Sequence, residues 1–204
     1  MENNTQLKEM IRSMVIDVLQ GQKQETASSQ PVKQVSRGQE PGVFDTVDEA
    51  IRAAKEAQLR FEDCTLATRE KVIADIRAAM RPRVQELAQK TVEETGMGRV
   101  ADKVLKLNLT LDKTPGVEDL ITECETGDNG MTLYELSPYG VIGAITPSTN
   151  PAETLICNSI GMLAAGNAIF FSVHPGAKNL SRELVSELNQ VIAKSIGIEN
   201  LIVT

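Results

Sequence analysis

Tryptophan is absent from the 204 residues, and Phe and Tyr bring the aromatic share to only 3%. A core must therefore be built from Ala, Val, Ile and Leu, which the 41% hydrophobic content can supply. Cores of small aliphatic side chains suit helices packed closely on a parallel sheet. Histidine occurs once, at His174, and Cys64, Cys124 and Cys157 stand far apart with no C-x-x-C pair. That set cannot close a structural zinc site, so no metal is expected. Three scattered cysteines fit a reducing interior better than a secreted disulfide scaffold. No Lys/Arg block occurs and the formal net charge is −7, which argues against nucleic acid as a partner. No apolar run is long enough to span a bilayer, and Glu2, Lys8, Glu9, Arg12 and Asp17 break any signal-peptide core. The expectation is a cytoplasmic protein without membrane association.

What is present divides the chain in three. In residues 1–20, Leu7, Met10, Ile11, Met14, Val15 and Val18 recur at spacings of three and four between charged residues, which predicts a short amphipathic helix. Residues 21–42 are dominated by Gln, Ser, Thr, Pro, Lys and Gly and read as a disordered tether. A helix on such a tether has its apolar stripe available for another surface. The folded body is expected from Val43 onward. Thr46 and Glu49 make a capping box ahead of a face carrying Val47, Ile51, Ala54, Ala57 and Phe61. A second helix carries Val72, Ile73, Ile76 and Met80; Pro82 interrupts or restarts it, and Gly96 and Gly98 end its continuation through Val84, Leu87 and Ala88. A further helix is expected over 100–111.

After Gly127 the period changes. Residues 131–136 alternate as a strand, a turn follows at Ser137-Pro138-Tyr139-Gly140, and 141–146 is a short apolar strand. A helix over 152–165, a buried strand over 168–173, a helix over 177–196 and a strand beginning at 201–203 complete a β-α-β-α-β order. This predicts a parallel, Rossmann-like sheet with right-handed crossovers. The expected fold class is thus α/β, with flanking helices. The chain stops within its third parallel strand, so the sheet is expected to be incomplete at its C-terminal side.

Two segments fall where ligands bind in open α/β sheets, beyond the carboxyl ends of strands. One is Thr146-Pro147-Ser148-Thr149-Asn150-Pro151, where an amide or hydroxyl can donate to a developing oxyanion. Its plainer reading, favoured by local chemistry alone, is a capped strand-to-helix turn. The other is Ser172-Val173-His174-Pro175-Gly176, in which His174 is a base, a ligand contact or simply a structural group. Gly161 and Gly166 have P-loop spacing, but Asn167 follows where Lys is needed, so Gly166-Asn167 reads as a helix stop. Cys157 is expected on the buried side of its helix, as a small hydrophobe rather than a nucleophile.

From Glu93 onward the chain resembles the coenzyme A-acylating aldehyde dehydrogenases of bacterial microcompartments, the propionaldehyde and acetaldehyde types. The resemblance is carried by Glu94-Thr95-Gly96-Met97-Gly98, Thr114-Pro115-Gly116-Val117-Glu118, Thr126-Gly127-Asp128-Asn129-Gly130, Gly140-Val141-Ile142-Gly143, residues 146–151, Leu163-Ala164-Ala165-Gly166-Asn167 and His174-Pro175-Gly176-Ala177-Lys178. It implies an aldehyde dehydrogenase-like fold whose first NAD-binding elements and N-terminal helices occupy 43–204. It implies NAD as cofactor, coenzyme A as co-substrate and a short-chain aldehyde oxidised through a cysteine thioester. In such enzymes the loop containing Thr146, Pro147 and Ser148 faces the nicotinamide and supplies an oxyanion donor. Asn150 is the natural candidate, while an ungapped register with the wider superfamily places Thr149 at the Asn position. The loop of Ser172, His174, Pro175 and Gly176 matches the cofactor-ribose region, where Ser172 and Pro175 depart from the Lys and Glu of hydrolytic relatives. Residues 1–20 resemble an encapsulation peptide, which implies a shell-protein partner, a location within a microcompartment and a homo-oligomeric full-length parent. The family's nucleophile belongs downstream of Cys157, and the chain is expected to be inactive alone. A non-catalytic interaction module that docks on a shell through its N-terminal helix is the main rival reading; an unrelated nucleotide-binding domain is the weaker one.

Overall fold

A computed structural model describes residues 40–204. The expectations for residues 1–20, and for the tether as far as residue 39, lie outside the described residues. Helix α1 (Val47–Glu62) starts where Thr46 Oγ1 accepts the Glu49 amide at 3.3 Å. The reciprocal arm differs from the usual box, because the Glu49 carboxylate accepts the Thr46 hydroxyl at 3.0 Å. The buried stripe of α1 is Ala50, Ala53, Ala54, Ala57 and Phe61, whereas Val47 and Ile51 are 55% and 40% exposed. The expected face was therefore rotated: the small residues, not the β-branched ones, are pressed against the sheet.

Helix α2 (Leu66–Met80) buries Val72, Ile73, Ile76 and Met80 as expected, and a 3-10 turn over Arg81–Arg83 absorbs Pro82. Helix α3 (Val84–Thr95) ends at Gly96, which caps it in the left-handed region at φ 67°. Helix α4 (Val100–Lys113) runs slightly beyond its expected end and buries Leu107 and Leu111.

Strand β1 (Glu123–Gly127) pairs antiparallel with β2 (Gly130–Tyr134) in a hairpin that is exposed along its whole length. The polar stretch around Cys124 thus forms a strand that was not expected. Glu123 and Glu125 alternate there with Cys124 and Thr126, so no aliphatic face gives the usual strand signal, and only Asp128-Asn129-Gly130 marks the turn.

The second sheet is parallel with order β3-β4-β5, built from β3 (Val141–Ile145), β4 (Ala168–Ser172) and β5 (Ile202–Val203). Helix α5 (Pro151–Ala164) links the first pair, and α6 (Lys178–Ile196) the second. Helix α1 lies against all three strands, while α2 packs on α5 and α6. The largest buried side chains include Phe61, Phe171, Ile76, Met80 and Leu155, in one core shared by helices and sheet.

Where the body begins, composition misplaces the boundary. The Gly42 carbonyl accepts the Thr204 amide at 2.9 Å, and the Phe44 amide donates to the Thr204 carbonyl at 3.0 Å, so Gly42 belongs to the body rather than to the tether. Gly42 sits at φ +76°, and a Cβ there would come within 2.0 Å of Asn189 Nδ2 and 2.7 Å of the Ile202 carbonyl. No other residue fits.

Candidate functional site

The parallel register decides which loops meet. Ile145 and Ser172 are partners across β3 and β4, and the Thr146 amide donates to the Ser172 carbonyl at 3.1 Å. Loops 146–150 and 172–177 therefore leave the same sheet edge side by side, as the alternation of strands and helices predicts.

Thr146 is the buried root of the first loop at 3% exposure, and its Oγ1 has no hydrogen-bond partner among the described residues. Pro147 and Thr149 are exposed, and Ser148 and Asn150 half-buried. Asn150 occupies the N-cap position of α5, yet its side chain does not cap the helix. The plainer expectation for this residue is overturned. Its Oδ1 accepts instead from Lys103 Nζ at 3.3 Å and Lys106 Nζ at 3.1 Å, both on α4. Lys103 Nζ also donates to the Thr149 carbonyl and lies 3.5 Å from Glu153 Oε1, with both charged side chains nearly inaccessible. Because ammonium groups only donate, the amide oxygen must face the lysines and the NH2 must turn away from them. That NH2 makes only a long contact, 3.5 Å, to Thr149 Oγ1 and is free to donate outward. The turn between α3 and α4 closes the floor: Ser148 Oγ contacts Met97 Sδ at 3.8 Å, and Gly98 lies over the Lys103 stem.

In the second loop Ser172, His174, Pro175 and Gly176 are exposed. His174 Nδ1 accepts the Gly176 amide at 3.0 Å, which caps the short 3-10 turn Pro175–Ala177. With Nδ1 an acceptor, the neutral ring carries its proton on Nε2. Helix α6 follows directly, and its first turn is closed by Glu94, whose carboxylate accepts the Asn179 and Leu180 amides at 2.8 Å each. The positive end of this helix is therefore already neutralised from within the chain.

Lys103, Lys106, Glu153 and Glu94 were not among the residues anticipated. A signal for Lys103 exists: it stands four and eight residues before Leu107 and Leu111, on the apolar stripe of α4, where a cation needs a reason. Cys157 corrects the opposite way. It is exposed on α5, beside buried Ile156. That helix carries polar residues on both faces, Thr154 and Asn158 toward the open side but Glu153 and Ser159 buried, so periodicity could not locate its open side. Cys64 is half-buried and Cys124 exposed on the hairpin. A surface depression lined by Glu40, Arg83, Arg182, Glu183 and Glu187 pairs Arg83 with Glu183 and Glu187 and Arg182 with Glu40, and touches neither loop. No helix among the described residues is long and apolar enough to cross a membrane.

Comparison with known proteins agrees with this arrangement. Residues 20–191 match the model of the aldehyde dehydrogenase family. The chain is 47% identical over 202 residues to the propanal dehydrogenase (CoA-propanoylating) of Salmonella typhimurium, covering 99% of this chain and 42% of that protein. It is similar, at TM-score 0.78 and 49% identity, to a propionaldehyde dehydrogenase from the fucose utilisation bacterial microcompartment of Clostridium phytofermentans, over 80% of this chain and 38% of that one. The same score and identity relate it to a Rhodopseudomonas palustris propionaldehyde dehydrogenase with bound CoA and an acylated cysteine, again over 80% of this chain and 38% of that one. The chain thus spans about two-fifths of the length of the relatives it matches. With its parallel sheet, its flanking helices and its paired strand-end loops, the chain belongs to the aldehyde dehydrogenase family.

Proposed function

We propose that this chain supplies the cofactor-facing part of an enzyme that oxidises a short-chain aldehyde to its acyl-coenzyme A with NAD. The observation that carries the reading is the outward-turned amide of Asn150, on a loop joined to the 172–177 loop through Thr146 and Ser172. The residues fit a dinucleotide: two adjacent strand ends form one open edge, and the orphaned Thr146 Oγ1 lies at its root. Thr146, Pro147 and Ser148 would border the nicotinamide, and Ser172, His174, Pro175 and Gly176 the ribose side. When bound, NAD supplies the hydride acceptor. Asn150 Nδ2 donates to the aldehyde oxygen as negative charge grows on it, with the Thr149 hydroxyl as the alternative donor. Relatives described as CoA-propanoylating or carrying bound CoA support coenzyme A as the acyl acceptor.

The test is to replace the matching stretch of the Salmonella relative by this chain and follow NADH formation from propionaldehyde, NAD and coenzyme A. Asn150→Ala should lower kcat by roughly 10²–10³-fold, the effect of losing an oxyanion donor. An unchanged kcat, with loss instead in Thr149→Val, would move the role to Thr149. The 204-residue chain by itself should give no turnover. Cys157 lies roughly 9 Å along the α5 axis from its first residue, Pro151, and neither Cys64, just after α1, nor Cys124, on β1, is on the loop edge.

A second proposal concerns residues 1–20. Their apolar stripe, and the microcompartment origin of the Clostridium relative, support docking on a shell protein by helix-in-groove packing. Deleting residues 1–20 should abolish co-purification with shells; unchanged encapsulation would refute it.

A further inference from the structure

The buried ion pair beneath the first loop is more than packing. We infer that Lys103, with Glu153 as its buried counter-charge, is a positioning residue that sets the direction in which Asn150 and Thr149 present their donors. The inference deepens the proposed oxyanion role and rests on it for its functional meaning, but its geometry stands alone.

Lys103 is 3% exposed and Glu153 7%, which is costly for charged groups unless something is gained. The ammonium donates to two loop oxygens, the Thr149 carbonyl and Asn150 Oδ1 at 3.3 Å, and lies 3.5 Å from Glu153 Oε1 as an ion pair without a hydrogen bond. The first two belong to successive loop residues, so one cation fixes both the backbone at Thr149 and the side-chain rotamer at Asn150. Glu153, in the first turn of α5, has neither carboxylate oxygen hydrogen-bonded among the described residues. It therefore serves as charge balance and leaves the ammonium protons to the loop. Gly98, at φ +83°, carries the turn that passes over Lys103, where a Cβ would meet Cε at 3.3 Å. Lys106 also reaches Asn150 Oδ1 at 3.1 Å, but from an exposed position where water competes for its protons.

A purely structural ion pair and a positioning device make different predictions. Replacing both members of a buried pair by apolar side chains of similar volume is often neutral or stabilising, whereas removing one strands a charge. In the 204-residue chain, Lys103→Met should lower Tm by roughly 10 °C. The double variant Lys103→Met/Glu153→Met should recover most of that loss. The decisive readout is the side-chain amide of Asn150, observed by its 1H–15N signals and their heteronuclear NOE. In the parent it should be as rigid as the backbone. In both Lys103→Met and the double variant it should become as mobile as exposed Asn129 in the hairpin turn, while Lys106→Met should leave it rigid. A double variant that regains both stability and a rigid Asn150 amide would show Lys103 to be structural only, and would overturn the inference. Because amide order is read without turnover, a rigid Asn150 whose removal leaves kcat unchanged would instead sink the oxyanion role and leave the positioning intact.

Discussion

Replacing Glu94 by Ala should loosen the second loop through helix α6. The Glu94 carboxylate accepts two amides, from Asn179 and Leu180, at 2.8 Å each, in the first turn of a 19-residue helix. Loss of a side-chain cap costs roughly 1 kcal/mol, and loss of a negative charge at a helix N-terminus roughly 0.3–1 kcal/mol, the lower part applying here because Glu94 is half-buried and partly screened. About 1.5 kcal/mol in all should lower Tm by roughly 3–6 °C for a body of this size. Glu94→Gln keeps an acceptor but not the charge, and should fall between parent and Ala. Urea unfolding followed by circular dichroism gives the midpoints, and amide hydrogen exchange at residues 177–181 localises the effect. The same midpoint for parent and Glu94→Ala, or a loss with no increase in exchange at those residues, would refute the capping argument.

Acid should weaken the surface network on α3: Lys90 first, and Arg83 after it, hold the Glu86 carboxyl down to about 2. A carboxylate depressed in the folded state contributes above its unfolded value and loses that contribution as pH falls from about 4.5 toward 2; Glu86→Gln should flatten the Tm–pH slope in that window, and an unaltered slope would exclude Glu86 as a source. Asn189→Leu should cost about 3 kcal/mol, because Asn189 is 1% exposed and serves the Ile202 carbonyl and the Asn200 amide, which Leu leaves unpaired; a Tm within a degree of the parent would contradict this. In the chimeric enzyme, His174→Ala should raise KM for NAD or coenzyme A more than it lowers kcat, since Nδ1 shapes the 174–177 turn; unchanged KM values with a lower Tm alone would make His174 structural.

Much of the fold is legible in the residues themselves. The buried faces of α2 and α3 follow from Val72, Ile76, Leu87 and Ala88, because a helix that buries one side must repeat its apolar residues every three to four positions. The β-α-β-α-β order over 141–203 follows equally, since short apolar runs alternating with helical periods leave little but a parallel sheet. Even the loop edge was foreseeable, because strand order alone sends residues 146–150 and 172–177 to one end.

Tertiary structure decided what periodicity does not encode. Val47 and Ile51 carry the apolar pattern of α1, yet the alanines face the sheet because a small-residue surface lets helix and strand approach closely. Cys157 faces outward since a helix with polar residues on both its buried and its open side leaves its orientation to its neighbours. Strand β2 is legible as the alternation over 131–136, but its partner β1 has no buried face to announce it. The partners of Asn150 lie 47 and 44 residues away on another helix, and those of Glu94 85 and 86 residues away. Local sequence determined that a polar loop would stand at this sheet edge; only the packing of α4 against α5 placed a buried cation beneath it and so turned an N-cap asparagine into an outward-facing donor.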